Sequence, residues 1–248
     1  MSTLSGKVAL VTGGSRGIGA ATAQRLAADG ATVAISYNSS PDRANQVVAD
    51  IEAAGGTAAA FQANAADADA AASLVAQVVE RFGGLDILVN NAGVYRTGPI
   101  ADFSDDDFDT NIDVNVRGVF AALRAAAPHL RASGRVVNVG SVVAYTGFPH
   151  NSVYGASKAA VAALSASAAK EFAGNGITVN TVHPGPIDTE MNPADPSQNP
   201  GAEMMKGATA LGRYGTAEEV ASVIAFLASP EASYVTGAQI AVDGGMTA

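Results

Sequence analysis

The chain has 248 residues, no cysteine and a net charge of −9, with its 14 basic residues scattered, which excludes disulfides, thiolate chemistry and the basic stripe a nucleic-acid partner needs. Its 48% hydrophobic content is inflated by alanine, and no apolar run approaches the roughly 20 residues that span a bilayer. Met1 to Lys7 lacks the basic patch, apolar core and cleavage site of a secretion signal, so the expectation is a cytoplasmic protein of one domain, residues 1–248, with no membrane partner.

The elements then follow in order. Lys7 to Thr12 reads as a strand, Ile18 to Ala28 as a helix, Ala31 to Tyr37 as a strand, and Pro41 to Ala54 as a helix with proline in its first turn. The pattern repeats with a strand near Thr57 to Phe61, a helix near Asp67 to Phe82 and the strand "LDILVN" from Leu85 to Asn90. Such alternation predicts parallel strands joined by right-handed helical crossovers. "SDDDFDTNIDVNVRGVFAALRAAAPHL" predicts one long helix, N-capped by Ser104 and opened by Asp105 to Asp107 at its positive end. A strand from Gly134, a helix over about Val153 to Phe172 and a strand ending at Pro184 come next. Ile187 to Ala210, rich in proline, glycine and methionine, reads as a loop with short helical pieces, of which about 188–210 would be a substrate lid. Thr216 and Glu219 form a capping box for a helix to about Ser229, and "AQIAVDGG" supplies a last strand. His129, His150 and His183 lie far apart without a second ligand at helical spacing, so no metal site is expected.

"VTGGSRGIGA" sits between a predicted strand and a predicted helix. Gly13, Gly17 and Gly19 let a backbone approach a pyrophosphate, and the helix start offers unpaired N–H groups to it. At the end of the second strand an acid would bind ribose hydroxyls and repel a 2'-phosphate. This chain has Tyr37, Asn38, Ser39 and Ser40 there, and Arg16 inside the glycine loop can pair with a phosphate through its planar fork. NADP(H) is therefore preferred, with NAD(H) the alternative.

Tyr154 and Lys158 are four apart on a predicted helix and share a face. A phenol near pKa 10 is a poor proton donor at neutrality, and a nearby ammonium is expected to lower it into useful range.

With "TGGSRGIG" at Thr12 to Gly19, "NNAG" at Asn90 to Gly93, "NVRG" at Asn115 to Gly118, Gly140-Ser141, "YGASK" at Tyr154 to Lys158, "PGPIDT" at Pro184 to Thr189 and "VDGG" at Val242 to Gly245, the chain resembles the short-chain dehydrogenase/reductase family over its whole length. The resemblance implies a single Rossmann domain with a doubly wound, seven-stranded parallel sheet and helices on both faces. It implies Tyr154 as proton donor to the substrate oxygen, Ser141 as hydrogen-bond partner of that oxygen, Lys158 on the nicotinamide ribose and Asn115 positioning a water behind Lys158. Cofactor contacts would come from Gly13, Ser15, Arg16, Gly17, Ile18, Gly19, Tyr37, Asn38, Ser39, Asn64, Ala65, Asn91, Ala92, Gly93, Pro184, Gly185, Ile187 and Thr189. Asn64 stands where the family commonly has Asp, and keeps a carbonyl for the adenine amino group. A homotetramer built through the small-residue helix after Val153 is also implied.

Within the family the chain looks most like the 3-oxoacyl-carrier-protein reductases. Members that dock the acidic carrier protein use arginines at positions that look like Ala132 and Asn175 here, and the net charge of −9 adds repulsion. Arg131 and Arg135 lie close by as compensating cations. Tyr95, Val142, Val143, Tyr145, Pro149, Val153, Met191, Met204 and Met205 are the expected walls of the substrate pocket, with no cation cluster for a charged substrate. A small or medium apolar ketone or diketone is thus the first expectation and a 3-oxoacyl thioester the second. "PGPIDTEMNPAD" also resembles a subgroup in which a nucleotide is sequestered without turnover. The full set of Asn115, Ser141, Tyr154 and Lys158 argues for an enzyme instead.

Overall fold

Strand β1 (Val8–Val11) is buried along its length and sends alternate side chains to opposite faces. Ala9 and Val11 join one core layer, Val8 and Leu10 the other. In the computed structural model, which describes residues 3–248, the strands Leu85–Asn90 and Thr178–Pro184 are likewise buried along their length, whereas Thr57–Gln62 and Gln239–Val242 are partly exposed. Met1 and Ser2, where the absence of a leader was read, lie outside the described residues.

The remaining strands are β2 (Thr32–Tyr37), β3 (Thr57–Gln62), β4 (Leu85–Asn90), β5 (Leu130–Val139), β6 (Thr178–Pro184) and β7 (Gln239–Val242). They form one sheet in the order β3-β2-β1-β4-β5-β6-β7, every pairing parallel. Strand order reverses beside β1, between the halves that run outward to β3 and to β7, and ligand crevices open at such a switch point.

Helices α1 (Gly17–Ala28) and α2 (Pro41–Ala53) cover one face together with α9 (Ala217–Ala228), burying Leu26, Val47, Ile51, Ile224 and Leu227 on Val33, Ile35 and Val89. On the other face α3 (Ala68–Phe82), α5 (Gly118–Ala126) and α7 (Ser152–Phe172) bury Leu74, Val78, Leu123 and Val161 on Leu10, Leu88 and Val179. The remaining α-helices are α4 (Asp105–Ile112), α6 (Val143–Thr146) and α8 (Ala202–Gly207). Ser104 Oγ accepts from the Asp107 N–H at 3.1 Å, and Thr216 with Glu219 closes the expected capping box at 3.3 and 2.8 Å.

Two differences from the sequence expectation have local causes. The long helix after Ser104 is broken: α4 and α5 are joined by a π-helical turn at Asp113–Arg117 that carries Asn115. Strand β5 begins at Leu130, which pairs with Leu85, and its exposed Arg131, Ala132 and Ser133 bulge away before Arg135 pairs with Ile87. That polar stretch conceals the strand start. The 188–210 segment holds the short helix α8, in line with the expected short helical pieces, and is tied by hydrogen bonds from Asn199 Nδ2 to Asn192 Oδ1 at 3.0 Å and to Pro193 O at 3.1 Å.

Candidate active site

Strands β1, β2, β4, β5 and β6 all end at one edge of the sheet, and the residues just past those ends line a single cleft of about 400 Å³. Gly13 (φ +65°) turns the chain between β1 and α1, where a Cβ would stand 2.9 Å from Ala92 Cα; a side chain cannot be accommodated there without moving backbone. The loop is pinned from both sides. Its Gly13 N–H donates to Ser36 Oγ at 3.2 Å, and Asn91 Nδ2 donates to the carbonyls of Thr12 and Gly13, each at 3.0 Å.

Gly13, Ser15, Arg16, Gly17 and Ile18 line the cleft with Tyr37, Asn38, Ser39, Asn64, Ala65, Ala92 and Gly93; Pro184, Gly185, Ile187 and Thr189 line its opposite wall. Gly19 stands back from it. A Cβ there would collide with the Gly13 carbonyl oxygen and Asn91 Nδ2, so its place is in packing α1 against the loop. Asn64 Oδ1 accepts from the Ala66 N–H at 3.1 Å, which orients the amide at the cleft rim.

At the other end the reactive side chains meet. On α7 the buried stripe runs through Ser157, Lys158, Val161, Ser165 and Ala168 at helical spacing, which sets Lys158 into the core with Tyr154 one turn before it. Gly155 makes this possible, since a Cβ there would stand 2.9 Å from the Val143 carbonyl oxygen. The close approach brings Tyr154 to Ser141, whose hydroxyl hydrogen-bonds the phenol and accepts from the Val143 N–H at 3.4 Å.

Lys158 is 4% exposed, and its Nζ donates to the Val139 carbonyl at 2.9 Å and lies 5.8 Å from the centre of the Tyr154 ring. Burial lowers the Lys158 ammonium to about 8. For Tyr154 burial is again the largest influence and pushes the phenol above its ordinary range; the Ser141 hydrogen bond pulls it back and Tyr95 pushes it further up. Lys158 is not among these influences, so the lowering expected from its ammonium does not appear; the ammonium is engaged with Val139.

Asn115 lies behind this pair, fully buried in the π-helical turn. Its Oδ1 accepts from the Val94 N–H at 2.8 Å, and its Nδ2 donates to Val94 O at 3.0 Å and Ser157 Oγ at 3.1 Å. The side chain thus clamps Val94 to α7.

Of the expected substrate walls, Tyr95, Val142, Val143, Met191 and Met205 line the cleft, whereas Tyr145, Pro149, Val153 and Met204 do not. Tyr145 is half-exposed and meets the edge of the His183 ring at 5.3 Å between centroids, and Met204 points outward from α8, 59% exposed. Phe148, Asn151, Asn192 and Met246 take their places. Asn151 also hydrogen-bonds the Tyr95 phenol, and the Tyr95 ring packs edge-on to Tyr154 at 4.7 Å. His183, fully buried on β6, sets its Nδ1 2.8 Å from the Ser141 carbonyl and so holds the loop that carries Ser141; burial lowers its basicity.

Of the two cations expected to compensate for Ala132 and Asn175, Arg135 is buried and Arg131 is partly exposed and ion-paired. Arg131 pairs with buried Asp86 at 2.8 Å and donates to Gly83 O at 2.7 Å, and Arg135, 7% exposed, donates to Ser133 O, Gly134 O and Ser229 O. Arg135 is taken up inside the fold, whereas Arg131 stays partly exposed while paired with Asp86.

Among the described residues no helix is long and apolar enough to cross a membrane. A family model described as Enoyl-(Acyl carrier protein) reductase matches residues 13–247. The 3-oxoacyl-[acyl-carrier-protein] reductase FabG of Staphylococcus aureus is 43% identical over 242 residues, 97% of this chain and 98% of that protein. The crystal structure of a short chain dehydrogenase from Burkholderia cenocepacia J2315 in complex with NADP superposes with a TM-score of 0.96 at 50% identity, covering 99% of this chain and 100% of that one. A blue fluorescent protein from a metagenomic library in complex with NADPH does so with a TM-score of 0.95 at 44% identity, again over 99% and 100%. By this match of sequence, fold and site, the chain belongs to the short-chain dehydrogenase/reductase family, in its branch of FabG-like proteins.

Proposed function

We propose that the protein is an NADPH-dependent reductase that converts a small or medium apolar ketone or diketone to a secondary alcohol, reversibly. The observation that carries this reading is the meeting of Ser141, Tyr154 and Lys158 at one end of a cleft whose other end has Arg16 and no acid after β2. The glycine loop fits a dinucleotide, since at Gly13 even a Cβ has no room and the backbone itself forms the floor of the cleft. Two of the solved relatives were captured with NADP and NADPH, which supports the same cofactor here.

Bound NADPH supplies the hydride. The residues of the chain position and protonate. The glycine loop and the start of α1 hold the pyrophosphate, Arg16 and the polar end of β2 take the 2'-phosphate, and Lys158 holds the nicotinamide ribose. Ser141 Oγ steadies the substrate oxygen, and the Tyr154 hydroxyl gives it a proton. Burial keeps Tyr154 protonated, the form that carbonyl reduction needs. The Lys158 ammonium then faces the phenolate that is left, and at about 8 it exchanges protons readily near neutrality. Val142, Phe148, Met191 and Met205 exclude water and favour an apolar substrate. The 188–210 segment, with Met191 and Met205, acts as the lid. The small exposed residues Ala156, Ala163 and Ser167 on the outer face of α7 support a homotetramer.

A second reading, reduction of a 3-oxoacyl thioester on a carrier protein, is favoured by the names of relatives such as the Staphylococcus aureus protein. The burial of Arg135 and the pairing of Arg131 with Asp86 weigh against docking an acidic carrier at that surface. The test is NADPH oxidation, followed optically, against small ketones, vicinal diketones, cyclic ketones and an acetoacetyl thioester, with Tyr154→Phe as control. Turnover of apolar ketones or diketones that Tyr154→Phe abolishes supports the first reading, and a dominant thioester the second. Tight NADPH binding with no turnover on the whole panel contradicts both and favours a binding protein.

A further inference from the structure

Glu190 follows Thr189 at the base of the 188–210 segment and is gripped by arginines from two other parts of the chain. Arg43 Nη1, in the first turn of α2, lies 2.5 and 2.6 Å from its two carboxylate oxygens, and Arg16 Nη1, in the glycine loop, lies 3.6 Å from Oε2. The three side chains are 50–59% exposed. Arg16, Glu190 and Asn38 to Ser40 line the cleft wall, and Arg43 reaches that wall through its contact with Glu190. The two arginines also hold the Glu190 carboxyl below its usual range.

Two guanidinium groups converging on one carboxylate make an anion site, and the anion that fills it here is a side chain. Exposed pairs of this kind are weak and readily exchanged. A phosphate monoester brings close to two negative charges and three acceptor oxygens, against one charge and two oxygens for a carboxylate, and matches the planar fork of arginine. Arg43 comes from outside the glycine loop and the end of β2, the segments in which the sequence places recognition of the 2'-phosphate.

We infer that Arg43 joins Arg16 to form a two-arginine site that selects a dinucleotide carrying a 2'-phosphate, and that Glu190 competes with that phosphate for the pair. The inference rests on the NADP(H) reading above. It makes Arg43 a specificity-determining residue and Glu190 a restraint on affinity: NADH leaves the Glu190 pairs in place, whereas NADPH must displace them.

Equilibrium binding tests this without turnover. The chain has no tryptophan, so the cofactor's own fluorescence reports binding of NADPH and NADH, and calorimetry reports 2',5'-ADP as a probe without nicotinamide. The proteins are wild type, Arg43→Ala, Glu190→Gln and the double variant, with thermal melts to verify folding. Arg43→Ala weakens NADPH and 2',5'-ADP by about tenfold or more and leaves NADH within about twofold. Glu190→Gln tightens NADPH several-fold without affecting NADH, and that gain disappears when Arg43 is also replaced. Equal losses of NADPH and NADH in Arg43→Ala, or no loss, overturn the role of Arg43. Weaker NADPH binding in Glu190→Gln overturns the competition. Failure of the underlying cofactor reading looks different: wild type itself then binds NADH as tightly as NADPH.

Discussion

Lys158 Nζ donates to the Val139 carbonyl at 2.9 Å while facing the Tyr154 ring at 5.8 Å, so a single buried ammonium ties the end of β5 to the proton donor. Its ionisation governs both activity and stability. Burial lowers Lys158 to about 8, against about 10.4 in an unfolded chain. Between those values the unfolded chain holds the proton and the folded one does not, so the contribution of Lys158 to stability rises with pH across that window. The melting temperature of wild type relative to Lys158→Met is expected to climb from pH 8 to pH 10. A difference that is flat or falls over that range contradicts the assignment.

The same ionisation shapes the rate. Ketone reduction falls as pH rises through about 8 and the ammonium facing the phenolate is lost, whereas Tyr154, raised by burial, stays protonated across the range. Alcohol oxidation needs the phenolate and is expected to climb into the alkaline range. Initial rates in both directions from pH 6 to 10 check this, and parallel profiles count against it.

Asn115 replaces a backbone partner for Val94 by accepting from its N–H and donating to its carbonyl. Asn115→Leu leaves those groups unpaired in the core, at a cost of about 1–3 kcal/mol each way of reckoning the lost bonds. A urea titration is expected to show a lower midpoint together with a loss of turnover. An unchanged midpoint indicates that the side chain carries no structural load.

Gly155→Ala sets a methyl group 2.9 Å from the Val143 carbonyl oxygen, against backbone that cannot rotate away. Separation of α7 from the Ser141 loop follows, with destabilisation of about 1–3 kcal/mol from overpacking. Because Tyr154 and Ser141 are pushed apart, kcat is expected to fall more than the stability change explains, which kinetics on folded protein below its melting temperature can measure.

Substrate discrimination should follow the wall that the fold builds. Phe148→Ala and Met205→Ala, both in the cleft, are expected to raise KM several-fold for bulky apolar ketones, while Met204→Ala, on the outer face of α8, leaves it within about twofold. The reverse order places the substrate elsewhere.

Chemistry that sits in a local motif was legible in the sequence. The glycine loop declares itself between a strand and a helix, and Tyr154 and Lys158 share a helix face through four-residue spacing. What depends on contacts between distant segments was not. The motif at Asn115 pointed to that residue, but the π-helical turn that carries it, and its contacts with Val94 and Ser157, left no spacing signature inside an otherwise helical pattern. Phe148, Asn151 and Met246 reach the cleft through loop paths, while Tyr145, Pro149, Val153 and Met204 are apolar or aromatic residues that the same backbone turns elsewhere. Arg43 and Glu190 meet across 147 positions, a pairing that only the closed fold creates. Arg135 resembles a surface cation in sequence, yet β5 buries it, while Arg131 stays partly exposed and pairs with buried Asp86.

The most direct test of the central claim is isotope transfer. The protein is incubated with an apolar ketone and NADPH bearing deuterium at the transferable C4 position of the nicotinamide, and the alcohol is examined by proton NMR. The account predicts deuterium at the carbinol carbon with wild type and almost none with Tyr154→Phe, although both proteins bind NADPH. Deuterium in the alcohol at equal rates from both would contradict the role of Tyr154, and tight NADPH binding with no labelled alcohol from any ketone tried would contradict the reductase itself.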